Sequence, residues 1–426
     1  MSAVQRKAGS SSSAGAGASS ASPASSTANT RQITKVVDSS AQPPAQFSYE
    51  AANRNILIRW MIDPKLSLSM IIGVLVAQFV WGLVGPKDLE FGNLELGPNP
   101  FNYLTRLSHR VPEATVALLE PEAALPGSGD HLVRYRKGYG DLAFVAFYVV
   151  VYSFIRQSTT IYLFRPFARW WGITNDAKVL RLTEQGYSLL YWGSSSVVGL
   201  YVMSFQESWW YKYEHFWLKY PHWLLRPELK AYYLLQAAYW TQQALVMLLR
   251  LEKPRKDYYE LVAHHLVTLW LIFWSYLINL TMIGTTVFVA MDVPDSFICT
   301  SKILNYLGLD LAATIVFACL MVVWTYFRIY LSSQTLWSVW FEFDRIPEWA
   351  RAWNPPQGHW LVWWMKYHIF APLFLLLLLN IFWWALLWRI LVRALQGVVG
   401  DEREEGEYEL NDHTKEGAAG KKQKSQ

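Results

Sequence analysis

Two histidines in tandem, His264 and His265, and two aspartates, Asp292 and Asp295 on either side of Pro294, lie inside long apolar runs. An ionisable side chain near the centre of a membrane helix costs roughly 2.5–3.5 kcal/mol on insertion scales, so each needs a partner or a cavity. An imidazole beside a carboxylate suits general-base or nucleophilic chemistry, the carboxylate holding the tautomer and balancing an imidazolium. Spacing sorts these groups onto helix faces. Asp257, His264, Thr268, Ser275 and Asn279 fall on one helical stripe. Thr285, Asp292, Asp295, Cys299, Lys302 and Tyr306 form a second stripe, and Gln236, Tyr239, Gln243 and Arg250 a third. Three consecutive polar faces are expected to turn toward one interior cavity. Neighbouring residues on a helix diverge by about 100°, so His264 and His265 cannot face one partner. His264 is on the stripe and takes the primary chemical role.

The elements that carry these groups follow from composition. Of 426 residues 53% are hydrophobic and 17% charged, with 23 Trp, 24 Tyr and 21 Phe. Soluble domains carry about 25% charged residues, so the chain reads as an all-α, polytopic membrane bundle. A net charge of +5, without a basic run interleaved with exposed aromatics, argues against a nucleic-acid partner, and two cysteines exclude a disulfide scaffold. Eight spans are expected, near 66–85, 141–164, 186–205, 231–251, 258–281, 283–306, 310–331 and 363–392. The GSSS of the third and the two Asp and Pro of the sixth make those two the least regular. Domains are expected at 1–50 (a disordered Ser/Ala-rich tail), 51–138 (first span and loop), 139–398 (catalytic membrane domain) and 399–426 (a disordered tail).

Lys and Arg near the span ends favour a cytoplasmic N-terminus, and eight spans return the C-terminus to that side. Lys422 and Lys424 in the final KQKSQ fit a coat-read retrieval signal to the endoplasmic reticulum. In this frame His264 lies about six residues, roughly 9 Å, inside the cytoplasmic end of its span. Asp295 lies about eleven residues, roughly 16 Å, inside that of the antiparallel neighbour. The groups therefore overlap in the cytoplasmic half of the bilayer.

Other signals carry less. Two His and two Asp can hold zinc or iron. Membrane di-iron enzymes use many more clustered His, however, and the other seven of this chain are dispersed, so no metal is expected. The sequon at Asn279 sits at a span edge. The aromatic segment 209–240 reads as an interfacial belt, and Cys299 as inert packing rather than an acyl carrier.

The run 251–307, with its H-H pair, the D-x-x-D of MDVPD and the downstream S-K-x-x-N-Y, resembles the signature region of the ceramide synthases. These are the longevity-assurance type of TLC-domain proteins. RLTEQGYSLLYWG (181–193), YYLLQAAYWTQQ (232–243), LWSVWFEF (336–343) and WRILVRAL (388–395) are similar to flanking family segments, so the resemblance covers roughly 140–400. No motif position departs from the pattern, and KPRKD with the acidic tail looks like the fungal form.

The resemblance implies that six or seven helices form a TLC-type barrel around a polar cavity. It also implies transfer of a fatty acyl group, of very long chain in fungal members, from acyl-CoA to the amino group of a sphingoid base. His264 would be general base or nucleophile. Asp292 or Asp295 would hold its tautomer, and His265 and Lys302 would bind the carbonyl oxygen or a sphingoid hydroxyl. Gln243, Trp240, Ser275, Asn305 and Tyr306 are further candidates for substrate contact. Lys253, Arg255 and Lys256 suit either CoA phosphates or a topology anchor. Trp240, Met247 and Phe288 would line an acyl slot. Acyl-CoA is a co-substrate and no cofactor is implied; a small single-span accessory subunit and a dimer are. A non-catalytic lipid-binding or lipid-transport protein, and a translocon-associated or chaperone role, are the readings from other classes.

Overall fold

The computed structural model describes residues 56–85, 89–91, 94–96, 99–121, 132–251 and 257–395. Both expected tails, and Lys253, Arg255 and Lys256, lie outside the described residues.

Eight long helices follow one another: α1 (Pro64–Val84), α2 (Gly140–Trp170), α3 (Asp176–Ser204), α4 (Pro227–Leu248), α5 (Tyr258–Leu277), α6 (Thr281–Tyr306), α7 (Asp310–Phe341) and α8 (Met365–Leu395). In lipid every backbone polar group must be satisfied within its own segment, which selects unbroken helices. Their starts carry local signals. Asp63 accepts the Lys65 N–H at 3.0 Å ahead of α1, with Pro64 at the first helical position. Asn175 accepts the N–H groups of Ala177 and Lys178 ahead of α3. The one strand pair among the described residues is a short antiparallel ladder, Leu89–Phe91 with Leu94–Leu96.

Six of these helices (all but α3 and α4) are long and apolar enough to cross a membrane, so this is a multi-pass membrane protein. The expected count was eight. α3 and α4 form at the expected places, with 29 and 22 residues, but fall short in apolarity because they bury polar side chains inside the bundle: Thr183, Ser195 and Ser196 from α3, Lys230, Gln236 and Gln242 from α4. α1 is the opposite case. Only 6% of its most apolar stretch is buried, so most of it lies at the surface of the bundle. α6 is the central helix, 61% buried by the same measure, and packs between α3, α5 and α7.

The aromatic segment after α3 departs from an interfacial belt. Phe216, Trp217 and Tyr220 are fully buried in the same apolar cluster as Ile278, Leu280 and Val339, while Trp209 and Trp210 are exposed. Trp217 donates to Ser338 Oγ at 2.9 Å, and the Tyr220 hydroxyl donates to the Ile278 carbonyl at 2.9 Å. This cap ties down the α5–α6 turn. Asn279 of the sequon sits in that turn, 3% exposed, its side-chain amide donating to the Gly358 carbonyl. An oligosaccharyl enzyme needs a surface asparagine.

At the same end a buried ion pair joins α2 to α4. Lys230 Nζ lies 2.7 Å from Asp141 Oδ1 and donates to the carbonyls of Ser108 and Arg136. Asp141 also accepts from Ser108 Oγ, the Gly138 N–H and the Tyr276 hydroxyl. Lys137, just before α2, donates to Leu277 O and Asn279 Oδ1 with its ammonium over the Tyr276 ring. Burial drags the Lys137 pKa from 10.5 down to about 7, against the raising influence of Asp141. Between those pH values the folded chain has released a proton that the unfolded chain still holds. Unfolding then takes up a proton, and stability rises with pH through that window. Thermal unfolding of the detergent-solubilised protein should show wild type gaining stability over Lys137→Met from pH ~7 to ~9. A flat difference across that range would refute the assignment.

Candidate functional site

α5 and α6 are antiparallel and joined by the short turn at 278–280, which fixes the depth of what they carry. His264 is thirteen residues before the end of α5 and Asp292 eleven after the start of α6. At 1.5 Å per residue both lie about 16–20 Å from the turn. Both side chains line one cavity between α4, α5, α6 and α8. It runs from His264, Asp292 and Trp240 past Thr268, Ile272, Ser275 and Phe288 to Ile278 and Leu280 at the turn. α8 supplies the far wall, from His368 to Leu376. The lining is apolar apart from a few placed polar groups, the usual make-up of a small-molecule site.

His264 is 7% exposed, its ring edge-on to Trp240 and to Trp383 with centroids 5.4 and 5.3 Å away. Trp383 is itself held by a 3.2 Å hydrogen bond to Asp257 at the start of α5. His264 Nδ1 is buried and has no hydrogen-bond partner among the described residues. His265 lies outside the cavity lining, its ring also edge-on to Trp240. Its Nδ1 is 2.8 Å from the Leu261 carbonyl. A carbonyl only accepts, so this nitrogen carries the proton.

Neither carboxylate grips His264, contrary to the expected tautomer-holding role. Asp292, fully buried, accepts from Ser195 Oγ at 2.6 Å and Gln236 Nε2 at 2.7 Å, both on the same oxygen. Its other oxygen has no partner among the described residues. Gln236 is held in turn by the Tyr191 hydroxyl, at 2.7 Å. Asp295 pairs with Arg328 at 2.6 Å. Thr285, on the same stripe, takes a hydrogen bond from Gln206. The polar face of α6 is thus shared among three sets of partners, and only Asp292 reaches the cavity. The expected single shared face is corrected accordingly.

Of the remaining candidates, Trp240 and Ser275 line the cavity, with Ser275 Oγ 2.5 Å from the Tyr233 hydroxyl. Gly284 must be glycine here, because a Cβ would lie 1.6 Å from that hydroxyl. Gln243 turns to Gln242, and Met247 is not part of the lining, although Phe288 is. Lys302, Asn305 and Tyr306 are not brought to the cavity. They lie ten to fourteen residues along α6 from Asp292, about 15–21 Å away, where Lys302 and Tyr306 continue the stripe, Asn305 is exposed and Tyr306 packs with Ala168, Val179 and Leu182.

Three neighbours escaped the sequence. Ser195 was visible only as part of GSSS, Arg328 as a lone cation in an apolar run, and His368 as a stray histidine. Among the described residues no group of three or more His, Cys, Asp or Glu is arranged to hold a metal ion. What the arrangement offers is an imidazole and a half-satisfied carboxylate beside an apolar slot. That supplies a base, a nucleophile and an anchor for a cationic or hydroxylic group.

A TLC-domain model matches residues 181–389. The chain is 37% identical to "Ceramide synthase LAG1" of Saccharomyces cerevisiae over 278 residues, 64% of this chain and 66% of that protein. It is 37% identical over 285 residues to "Sphingosine N-acyltransferase lac1" of Schizosaccharomyces pombe, covering 67% and 73%. With "Ceramide synthase hyl-2" of Caenorhabditis elegans it shares 31% identity over 278 residues, covering 60% and 80%. The chain therefore spans about two thirds of the yeast relatives' length. The matched region contains the His264 and Asp292 helices and every wall of the cavity, and the chain belongs to the TLC-domain family, in the group of the ceramide synthases (sphingosine N-acyltransferases).

Proposed function

We propose that this chain makes ceramide: it transfers a fatty acyl group from acyl-CoA to the amino group of a sphingoid base. The observation that carries this reading is the placement of His264 Nδ1 and Asp292 Oδ1, both buried and unpartnered among the described residues, on the wall of one apolar slot. Such a slot takes an alkyl chain, and its length of about 21 Å of helix rise from His264 to Ile278 suits a long one. The free Asp292 oxygen binds the ammonium of the base and takes up a proton from it. The freed amine then attacks the acyl carbonyl, either on the thioester or on an acyl-imidazole at His264. A C–N bond forms and the C–S bond of the thioester breaks. The nitrogen gives up two protons in all: the sulfur leaves as thiolate and takes one to end as the CoA thiol, and the other passes through Asp292 to solvent.

The signature helices of this family and the charge bias support an endoplasmic reticulum enzyme with both termini in the cytoplasm. A very long acyl chain, CoA contact by Lys253, Arg255 and Lys256, and a single-span accessory subunit or dimer belong to the same reading. The test is to supply acyl-CoA and sphingoid base to the purified full chain, co-expressed with any accessory subunit, and to quantify thiol and ceramide. Equal amounts of both are expected. Base binding with neither product would replace this reading by a lipid-binding or lipid-transport one.

A further inference from the structure

On the side of α6 away from Ser195 and Gln236, α7 and α8 bury a second polar group of side chains. α7 changes from α- to π-helix over Thr325–Leu331, a local expansion found often at functional sites. Arg328 lies in that segment, 4% exposed, with its guanidinium 4.0 Å over the Trp324 ring. One terminal nitrogen serves both Asp295 Oδ2, at 2.6 Å, and the Met291 carbonyl, at 2.7 Å. Asn380 of α8 is fully buried in an otherwise apolar run. Its carbonyl accepts from Trp324 Nε1 at 3.3 Å, and its side-chain amide donates to Met291 Sδ at 3.5 Å. Arg328 and Asn380 therefore meet the same two residues, Trp324 and Met291. Each retains one buried polar atom without a partner among the described residues: Arg328 Nε, a donor, and Asn380 Oδ1, an acceptor.

A buried orphan donor and a buried orphan acceptor are each expensive, and native proteins keep such groups for a reason. A hydroxyl answers both, accepting from an N–H and donating to a carbonyl oxygen. Met291, which both residues contact, also lines the cavity. Its unbranched thioether is the kind of wall that shifts to admit a ligand. Asp292, the proposed ammonium anchor, is the next residue. A long-chain amino alcohol carries an amine and hydroxyls on adjacent carbons, so an amine at Asp292 brings a hydroxyl toward this pair.

We infer that Arg328 Nε and Asn380 Oδ1 form a subsite for a hydroxyl group of the sphingoid base. This rests on the acyltransferase reading above. It assigns recognition of the base to α7 and α8, outside the His/Asp helices.

The experiment compares sphinganine with its 1-deoxy and 3-deoxy analogues in wild type, Asn380→Leu and Arg328→Lys, using the full chain with its accessory subunit. The lysine keeps a cation opposite Asp295 and removes Nε. Wild type should prefer sphinganine over one of the deoxy bases by about 10- to 100-fold in kcat/KM, the worth of a hydrogen bond involving a charged donor. In both variants that ratio should fall to within about threefold of unity through loss on sphinganine, while KM for acyl-CoA stays unchanged. Equal loss on all three bases would mean the pair only packs the bundle or holds a water, and would overturn the inference; so would an undiminished ratio. If Asn380→Leu fails to fold, Arg328→Lys decides alone. If wild type makes no amide, the acyltransferase reading falls, and equilibrium binding of the same three bases decides the subsite.

Discussion

His264→Ala should lower ceramide formation by on the order of 10²–10⁴-fold, the usual worth of a positioned base, and by more if the imidazole carries the acyl group. The ring lies between Trp240 and Trp383 and no described side chain hydrogen-bonds to it, so its removal leaves no buried ion unpaired and the protein should still fold. The two mechanisms separate by intact mass. With acyl-CoA alone, an adduct on wild type and not on His264→Ala, discharged by added base into ceramide, establishes a two-step transfer. Ceramide without an adduct places the base and the thioester in one complex, with His264 taking a proton. Retention of wild-type turnover by His264→Ala would remove this residue from the chemistry. His265→Ala should cost less, because that ring is outside the cavity wall and tethered to Leu261.

The largest loss of stability is expected at Lys230, far from the reacting groups. Lys230→Ala leaves Asp141 at 5% side-chain exposure with its cation gone, and removing one partner of a buried ion pair costs about 3–5 kcal/mol. That is a large part of the net stability of a folded domain, so the variant should unfold well below wild type in detergent or fail to accumulate. The double variant Lys230→Ala/Asp141→Asn should recover a substantial share, since the unpaired charge is then absent. If the single and double variants unfold alike, the loss comes from the lysine's hydrogen bonds to Ser108 O and Arg136 O instead.

Much of the fold was legible because lipid imposes one rule that sequence reveals directly: an apolar run of about 20 residues becomes a helix. Every expected span corresponds to a helix here. Two of the eight, α3 and α4, are less apolar than the other six, since polar residues that serve a bundle interior, such as Ser195 and Gln236, lower apolarity as solvent-facing ones do. At the site, periodicity gave the faces of His264 and Asp292 but not the reach of each side chain. A stripe continues along a helix indefinitely, whereas a cavity occupies a few turns. Lys302 and Tyr306 were placed by the stripe and Asn305 by the resemblance, and all three lie outside the cavity lining. Which group satisfies a buried carboxylate is a question about three dimensions, and Ser195, 97 residues before Asp292, and Arg328, 33 residues after Asp295, carry no local spacing signal.

The order of synthesis gives the α5–α6 hairpin a further meaning. His264 and Asp292 emerge together on two consecutive helices joined by a short turn, so their relative depth is set as soon as that hairpin enters the bilayer. Ser195 and Gln236 are already waiting for Asp292. Trp383 and the far wall of the slot arrive only with α8, the last of the described helices. A nascent chain that stops short of α8 therefore displays the complete signature yet has an open-sided slot, with His264 and Asp292 on a wall that nothing yet faces. The slot closes only once α8 has packed against α5 and α7.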